Sequence, residues 1–177
     1  KPGNVYIRAD HSPVLLDFGS TRQSMGADQT LRETLLTPGY APPEQYEQSL
    51  DRQGPWSDIH ALAALFYRAI SGQRPIDALK RVNSVKAGRD DPLPPLTRAG
   101  RGKFPAAFLH AVDKAMNLQE NNRPQSMDQW RNMLWPSGAL ARSRPTHYEE
   151  EDETWSSYRP LASQIAKELG LDSGETT

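Results

Sequence analysis

An apolar run in the middle of the chain, from Ile59 to Ile70, limits the possible folds more than any other part of the sequence. His60 and Arg68 are its only basic residues and it has no acidic one, so a helix formed from it has almost no polar face. A helix that is apolar nearly all round is a buried one. The sequence therefore predicts a central buried helix that begins near a capping Asp58 and ends before Gly72.

Other apolar stripes predict further helices around this one. Residues 105–118 and 126–134 place apolar side chains at helical spacing, and Ser126 is a candidate cap for the second of these helices. The apolar face of that last helix is predicted to consist of Met127, Trp130, Met133 and Leu134. The remaining predictions are short helices over 44–46 and 75–82 and a loop over 89–103. The chain is thus predicted to be mainly α.

The first nineteen residues predict a β-hairpin instead. Two short runs rich in β-branched and aromatic residues flank a polar break that carries Asp, Ser and Pro. Closing the hairpin brings Lys1 and Asn4, before the first run, close to Asp17, after the second. Amide and carboxylate oxygens are ligands that Mg²⁺ takes in proteins, and a lysine can meet a phosphate. The hairpin therefore predicts a site for Mg²⁺ and phosphate.

The order of these motifs resembles that of a protein kinase. Lys1-x-x-Asn4 followed by Asp17-Phe18-Gly19 is similar to the end of the catalytic loop and the metal-binding triplet of that family. Residues 37–44, Thr-Pro-Gly-Tyr-Ala-Pro-Pro-Glu, resemble the segment that closes the activation loop. The phrases Ser-Asp-Ile, Gly-Gln-Arg-Pro and Arg-Pro-Gln-Ser are similar to those of bacterial-type serine/threonine kinases. The resemblance covers residues 1–135.

The resemblance implies the large, C-terminal lobe of such a kinase, with a short β-hairpin that carries the metal-binding Asp-Phe-Gly. The catalytic aspartate of the family would stand two positions before Lys1, and the glycine-rich loop and strand lysine would come earlier still. The N-terminal lobe is thus expected to be absent, and the fragment itself is expected to be inactive. Residues 1–135 would be a partial kinase domain, and 136–177 a polar, acidic linker tail that could hold a short helix.

The resemblance also implies a reaction, the transfer of the ATP γ-phosphoryl group to a Ser/Thr hydroxyl of a protein substrate. Asp17 and Asn4 would hold Mg²⁺ and so bind the nucleotide cofactor, and Lys1 would stabilise charge on the moving phosphoryl group. Thr37 matches the threonine that bonds the catalytic aspartate and lysine in serine/threonine kinases. Together Thr37 and Lys1 imply a Ser/Thr acceptor.

Five further residues have expected roles outside the metal site. Thr30 and Thr34 are candidate phosphorylation sites in the expected activation loop, where an added phosphate can order the chain. Glu44 matches the glutamate that pairs with a distant arginine, here Arg123, in a structural role. Asp58 matches the aspartate that anchors the catalytic loop, and a plain helix cap is its alternative.

Composition excludes several other classes of function. The 21 Lys and Arg nearly balance the 22 Asp and Glu, giving a net charge of -1, so no nucleic-acid partner is expected. The most apolar run is too short to span a bilayer, so no membrane segment is expected in this chain. There is no cysteine, and the four histidines contain no i, i+4 pair that would favour zinc. A cytoplasmic location is compatible with the lack of cysteine.

Two alternative functions remain open. A pseudokinase would keep the lobe as a protein-interaction scaffold, but it has no use for Lys1, Asn4 and Asp17 together. A phosphotransferase acting on small molecules can share the metal-binding aspartate. The proline-rich segment with Thr37 and the match at Glu44 disfavour it, because that segment suits a peptide substrate.

Overall fold

The computed structural model describes residues 1–9, 12–16, 36–47, 50–100, 102 and 104–136, and helices dominate them. The strands are β1 (Val5–Ile7) and β2 (Pro13–Leu15), and the helices are α1 (Pro43–Tyr46), α2 (Pro55–Ser71), α3 (Ala78–Lys86), α4 (Leu96–Ala99), α5 (Ala106–Ala115) and α6 (Met127–Leu134). Single 3₁₀ turns lie at Pro2–Asn4, Leu50–Arg52 and Glu120–Asn122.

Helix α2 is the central buried helix that the apolar run predicted. Ile59, Ala63 and Ala64 have no exposed surface, and the helix ends at Gly72 in a left-handed conformation, φ +70°. Its start is three residues earlier than predicted, because Gly54 rather than Asp58 is the N-cap. The hydroxyl of Ser57 accepts a hydrogen bond from the Gly54 N–H, at 3.3 Å, which satisfies a backbone donor at the cap.

Helices α5 and α6 cover α2 and complete the core. Helix α5 packs against α2, α4 and α6, and α6 also contacts α2. The Phe66 ring lies 5.8 Å from both the Phe108 and the Trp130 ring centroids, in tilted geometry. The indole N–H of Trp130 donates to the Ala111 carbonyl at 2.9 Å, so its one polar group is satisfied. Burying a phenylalanine such as Phe108 stabilises the fold by about 1.5–3 kcal/mol.

The predicted hairpin is confirmed. Strands β1 and β2 pair antiparallel, with Val5 opposite Leu15 and Tyr6 opposite Val14. Val5 packs against the helical core, which fixes the hairpin on the domain.

Further helix predictions were wrong in detail. Helix α3 begins at Ala78 instead of residue 75, because the Asp77 carboxylate accepts the Leu79 N–H at 3.0 Å and caps it there. Helix α4 lies inside the predicted loop. Ser126 does cap α6, but Met127, the first helical residue, is 50% exposed and is not part of the buried face. Helical spacing predicts which face of a helix a side chain lies on. It does not predict whether other elements pack against that face along the whole length of the helix.

Several predictions fall on residues outside the described ranges. These are the metal-binding Asp17 with its triplet, the phosphorylation candidates Thr30 and Thr34, and the tail beyond Pro136. The division into a domain and a tail therefore stays a prediction. Within the described ranges, no helix combines the length and the hydropathy that crossing a membrane requires.

Candidate functional site

The most deeply buried charges of the described chain are those of Glu44 and Arg123, which have 0% side-chain exposure. The two residues are 79 positions apart, and two parallel bonds join their side chains, Nη1 to Oε1 at 2.7 Å and Nη2 to Oε2 at 2.9 Å. The Ser57 hydroxyl donates to Oε1 at 2.7 Å. A bidentate pair of this kind fixes both position and orientation of the carboxylate.

Arg123 also donates to two consecutive backbone carbonyls. Its Nε donates to the Asn117 carbonyl at 2.7 Å, and Nη2 donates to the Leu118 carbonyl at 3.2 Å. Pairing and these extra bonds offset the cost of removing the cation from water. The result is a tie between the start of α1, the start of α2 and the turn before α6.

The segment that leads into α1 and includes its first two residues, residues 37–44 and hereafter the closing segment, is a tight turn followed by buried prolines. The Thr37 carbonyl accepts the N–H groups of Tyr40 and Ala41, at 3.0 and 3.1 Å. Gly39 has φ +85°, and a Cβ at this position would lie 2.5 Å from the Pro75 carbonyl oxygen. Both the left-handed backbone and the close approach therefore require glycine here.

The loop between α2 and α3, residues 72–77, contacts the closing segment from outside. Nε and Nη2 of Arg74 donate to the Pro38 carbonyl, at 3.1 and 2.7 Å. Just beyond the segment, the Tyr46 hydroxyl donates to the Asp77 carboxylate at 2.5 Å. Burial and this hydrogen bond raise the pKa of Tyr46 above its usual value, so the hydroxyl keeps its proton. The Arg74–Pro38 and Tyr46–Asp77 contacts were not predicted from the sequence, because neither belongs to a motif or a periodic pattern of the sequence.

His60 lies under the closing segment on α2. It is buried, and its Nδ1 is 3.4 Å from the Tyr40 carbonyl oxygen. Burial, together with the positive charges of Arg123 and Arg81, lowers the pKa of His60 well below its usual value. Its imidazole is therefore neutral at pH 7. A charged imidazole at this position would repel the Arg123 guanidinium.

Of the residues predicted to meet Mg²⁺ and phosphate, Lys1 and Asn4 are described, and both lie at the open end of the hairpin. Lys1 is exposed, and its carbonyl accepts the Asn4 N–H at 2.9 Å in the 3₁₀ turn. The Asn4 carbonyl accepts the Leu16 N–H at 2.7 Å, so Asn4 pairs with the residue directly before Asp17 in the sequence. The side-chain amide oxygen of Asn4 is the kind of ligand that Mg²⁺ prefers. The described ranges hold no cluster of three or more His, Asp or Glu that could bind a metal ion.

The structure brings some of the predicted residues together and leaves others apart. Glu44 and Arg123 are in direct contact, and Asn4 is paired with the end of β2. Among described residues, the side chain of Thr37 has no hydrogen bond to Lys1 or Asn4. Asp58 is exposed, in the first turn of α2, and its predicted anchoring role stays a prediction.

Similar proteins include several bacterial kinases. The chain is 29% identical over 133 residues to "Serine/threonine-protein kinase PknK" of Mycobacterium tuberculosis, a match covering 70% of this chain and 11% of that protein. It is 35% identical over 82 residues to "Serine/threonine-protein kinase PknA" of Nostoc sp., which covers 42% of this chain and 14% of the relative. The chain thus spans only a small part of each of these relatives. No family model matches it.

A solved structure is similar as well. The chain of "PpkA-294 apo form" superimposes with a TM-score of 0.62 and 37% sequence identity, over 74% of this chain and 43% of that one. The predicted fold class is confirmed: the architecture is that of a kinase large lobe, mainly helical with a small antiparallel hairpin. The predicted resemblance to bacterial serine/threonine kinases is confirmed by the relatives.

Proposed function

Because this chain is homologous to bacterial serine/threonine protein kinases and has the fold of their large lobe, we propose that it is the substrate-holding part of such a kinase. The reaction is ATP- and Mg²⁺-dependent transfer of a phosphoryl group to a Ser/Thr hydroxyl of a protein. The observation that carries the proposal is the buried Glu44–Arg123 pair. It supports the closing segment at the position where the family receives its peptide substrate.

The proposed roles are those of positioning and charge. Asn4 and Asp17 hold Mg²⁺, and Lys1 faces the transferred phosphoryl group as a point charge. Bound Mg²⁺ supplies positive charge that offsets the negative charge of the phosphates. Thr37 lies at the start of the closing segment, where its hydroxyl is available to orient the groups that meet the acceptor.

Phosphorylation at Thr30 or Thr34 is proposed as the means by which the protein is switched on. A phosphate on either residue adds nearly two negative charges, which can order a segment through arginine pairing. Both residues precede the closing segment by only a few positions, so ordering there would act on the acceptor site.

The test uses the full-length protein that contains this chain, with radiolabelled ATP and Mg²⁺. We expect Asp17→Asn to abolish transfer, a loss of about 100-fold or more, because an amide cannot replace a carboxylate as a charged Mg²⁺ ligand. The thermal unfolding temperature should stay the same. Asp51→Asn, at an exposed aspartate of a 3₁₀ turn, is the matched control and should keep full activity.

Two results would contradict the proposal. Full activity in the Asp17→Asn protein would show that this aspartate does not hold the metal. A folded wild-type protein that transfers no phosphate to any protein, while still binding partners, would support the pseudokinase scaffold instead.

A further inference from the structure

The closing segment is held from outside by one exposed side chain. Arg74 donates two hydrogen bonds to the carbonyl of Pro38, the residue after Thr37, across 36 positions of sequence. Pro38 has no N–H, so its carbonyl is the only backbone group through which this residue can be tied. Among the described residues, the backbone bonds within residues 37–41 are those accepted by the Thr37 carbonyl.

The closing segment and the α2–α3 loop also contact each other at a second point. Gly39 approaches Pro75 so closely that a Cβ would lie 2.5 Å from the Pro75 carbonyl oxygen. The distance between the closing segment and the α2–α3 loop is therefore set by two neighbouring contacts. One is attractive, through Arg74, and the other is a steric limit at Gly39.

We propose that Arg74 is a positioning residue for the peptide substrate, an inference that rests on the proposed function. Its two hydrogen bonds to the Pro38 carbonyl fix the position of the turn at residues 37–41. The peptide residues next to the acceptor hydroxyl are proposed to bind on this turn. The peptide therefore binds to a surface whose position depends on a residue of the α2–α3 loop, outside the closing segment itself.

The chemistry favours arginine for this task. A guanidinium donates from Nε and Nη2 in a fixed plane, so both bonds can converge on one oxygen and hold its direction. A lysine would offer one ammonium group on a flexible stem, whose N–H donors have no fixed plane. Within the described residues Arg74 has no carboxylate in ion-pair distance, so its strongest contact is with this carbonyl.

The experiment measures steady-state kinetics of the full-length protein with ATP and a synthetic peptide. The peptide is the best substrate that the wild-type protein selects from an unbiased Ser/Thr peptide array. We expect Arg74→Ala to raise the KM for the peptide about tenfold, the loss produced by removing charge-assisted hydrogen bonds, with the KM for ATP within twofold of wild type. Arg74→Lys should recover part of the loss. Arg131→Ala, at an exposed arginine of α6, is the control.

A second variant tests the other contact. Gly39→Ala should also raise the peptide KM, because its Cβ pushes the closing segment away from Pro75. Gly88→Ala is its matched control: Gly88 has φ +73°, and a Cβ added there would meet nothing within 4 Å, so this variant carries the backbone strain without the collision. It should leave the peptide KM unchanged.

The outcomes separate this inference from the proposed function. An active wild-type protein whose peptide KM is unchanged in both Arg74→Ala and Gly39→Ala overturns the inference alone. A parallel fall in kcat, ATP binding and unfolding temperature overturns it as well, because the role of Arg74 would then be only structural. A wild-type protein without transfer activity overturns both.

Discussion

At the scale of single residues, burial decides which charges matter to this domain. Glu44 and Arg123 are both fully buried, whereas Glu47, three positions after Glu44, is exposed beside Arg52. A buried charge that loses its partner keeps the cost of desolvation without the compensating attraction. An exposed pair loses little, because water replaces the partner.

The first prediction compares these two glutamates. Glu44→Gln should lower the free energy of unfolding by about 3–5 kcal/mol, because it leaves the Arg123 guanidinium buried without an anion. Glu47→Gln, the same chemical change on the surface, should cost less than about 1 kcal/mol. Urea unfolding of the two variants and wild type measures both values. Equal effects of the two substitutions would show that the buried pair does not hold the closing segment in place.

At the scale of elements, α4 shows how a very short helix is stabilised. Four residues cannot form a stable helix in isolation, because nucleation costs more than one turn returns. Here both oxygens of the Asp113 carboxylate, on α5, accept N–H groups from the first turn of α4. Leu96 donates at 2.6 Å and Thr97 at 2.9 Å. The cap comes from a different helix, and Leu96 is buried against the same core.

The second prediction removes half of this cap. Asp113→Asn replaces one acceptor oxygen with an amide that can only donate, so one N–H of α4 loses its partner. We expect a cost of about 0.5–2 kcal/mol, seen as faster hydrogen exchange at residues 96–100. Asp128→Asn on α6 is the control, since its ion pair with Arg131 is exposed. Unchanged exchange in α4 would indicate that core packing alone holds it.

At the scale of the whole molecule, the described residues form one helical core to which both the hairpin and the closing segment are attached. Val5 joins the hairpin to the core, and the Glu44–Arg123 pair joins the closing segment to α2 and to the turn before α6. The proposed metal-binding and peptide-binding parts are thus attached to the same helical core by separate contacts.

The third prediction concerns the 177 residues expressed alone. No residue of this chain is matched here to the catalytic aspartate or the phosphate-pairing lysine of the kinase family, so we expect no phosphate transfer above the background of the same chain with Asp17→Asn. Far-ultraviolet circular dichroism and a thermal transition establish that the chain is folded, and the full-length protein is the positive control. Transfer clearly above that background would mean that residues within this chain supply the missing roles.

Local patterns account for the features that could be predicted without a structure. Residues 59–70 are apolar on every side of a helix, and only burial removes such a helix from water. Two β-branched runs around a polar break favour paired strands, and this pattern predicted the hairpin. Ser126 marked the start of α6 for a similar local reason. The order of motifs led to the kinase large lobe and to Glu44 and Arg123 as candidates for a pair.

The remaining features depend on contacts between residues that are far apart in the sequence. The Asp113 carboxylate caps α4, which lies within the stretch predicted to be a loop. Met127 is exposed because it lies at the start of α6, outside the part of the helix that packs in the core. Arg74 reaches the Pro38 carbonyl, and Gly39 fits against Pro75. None of these contacts follows from spacing along the chain. Each exists because the packing of the helices brings two distant groups within hydrogen-bond or van der Waals distance.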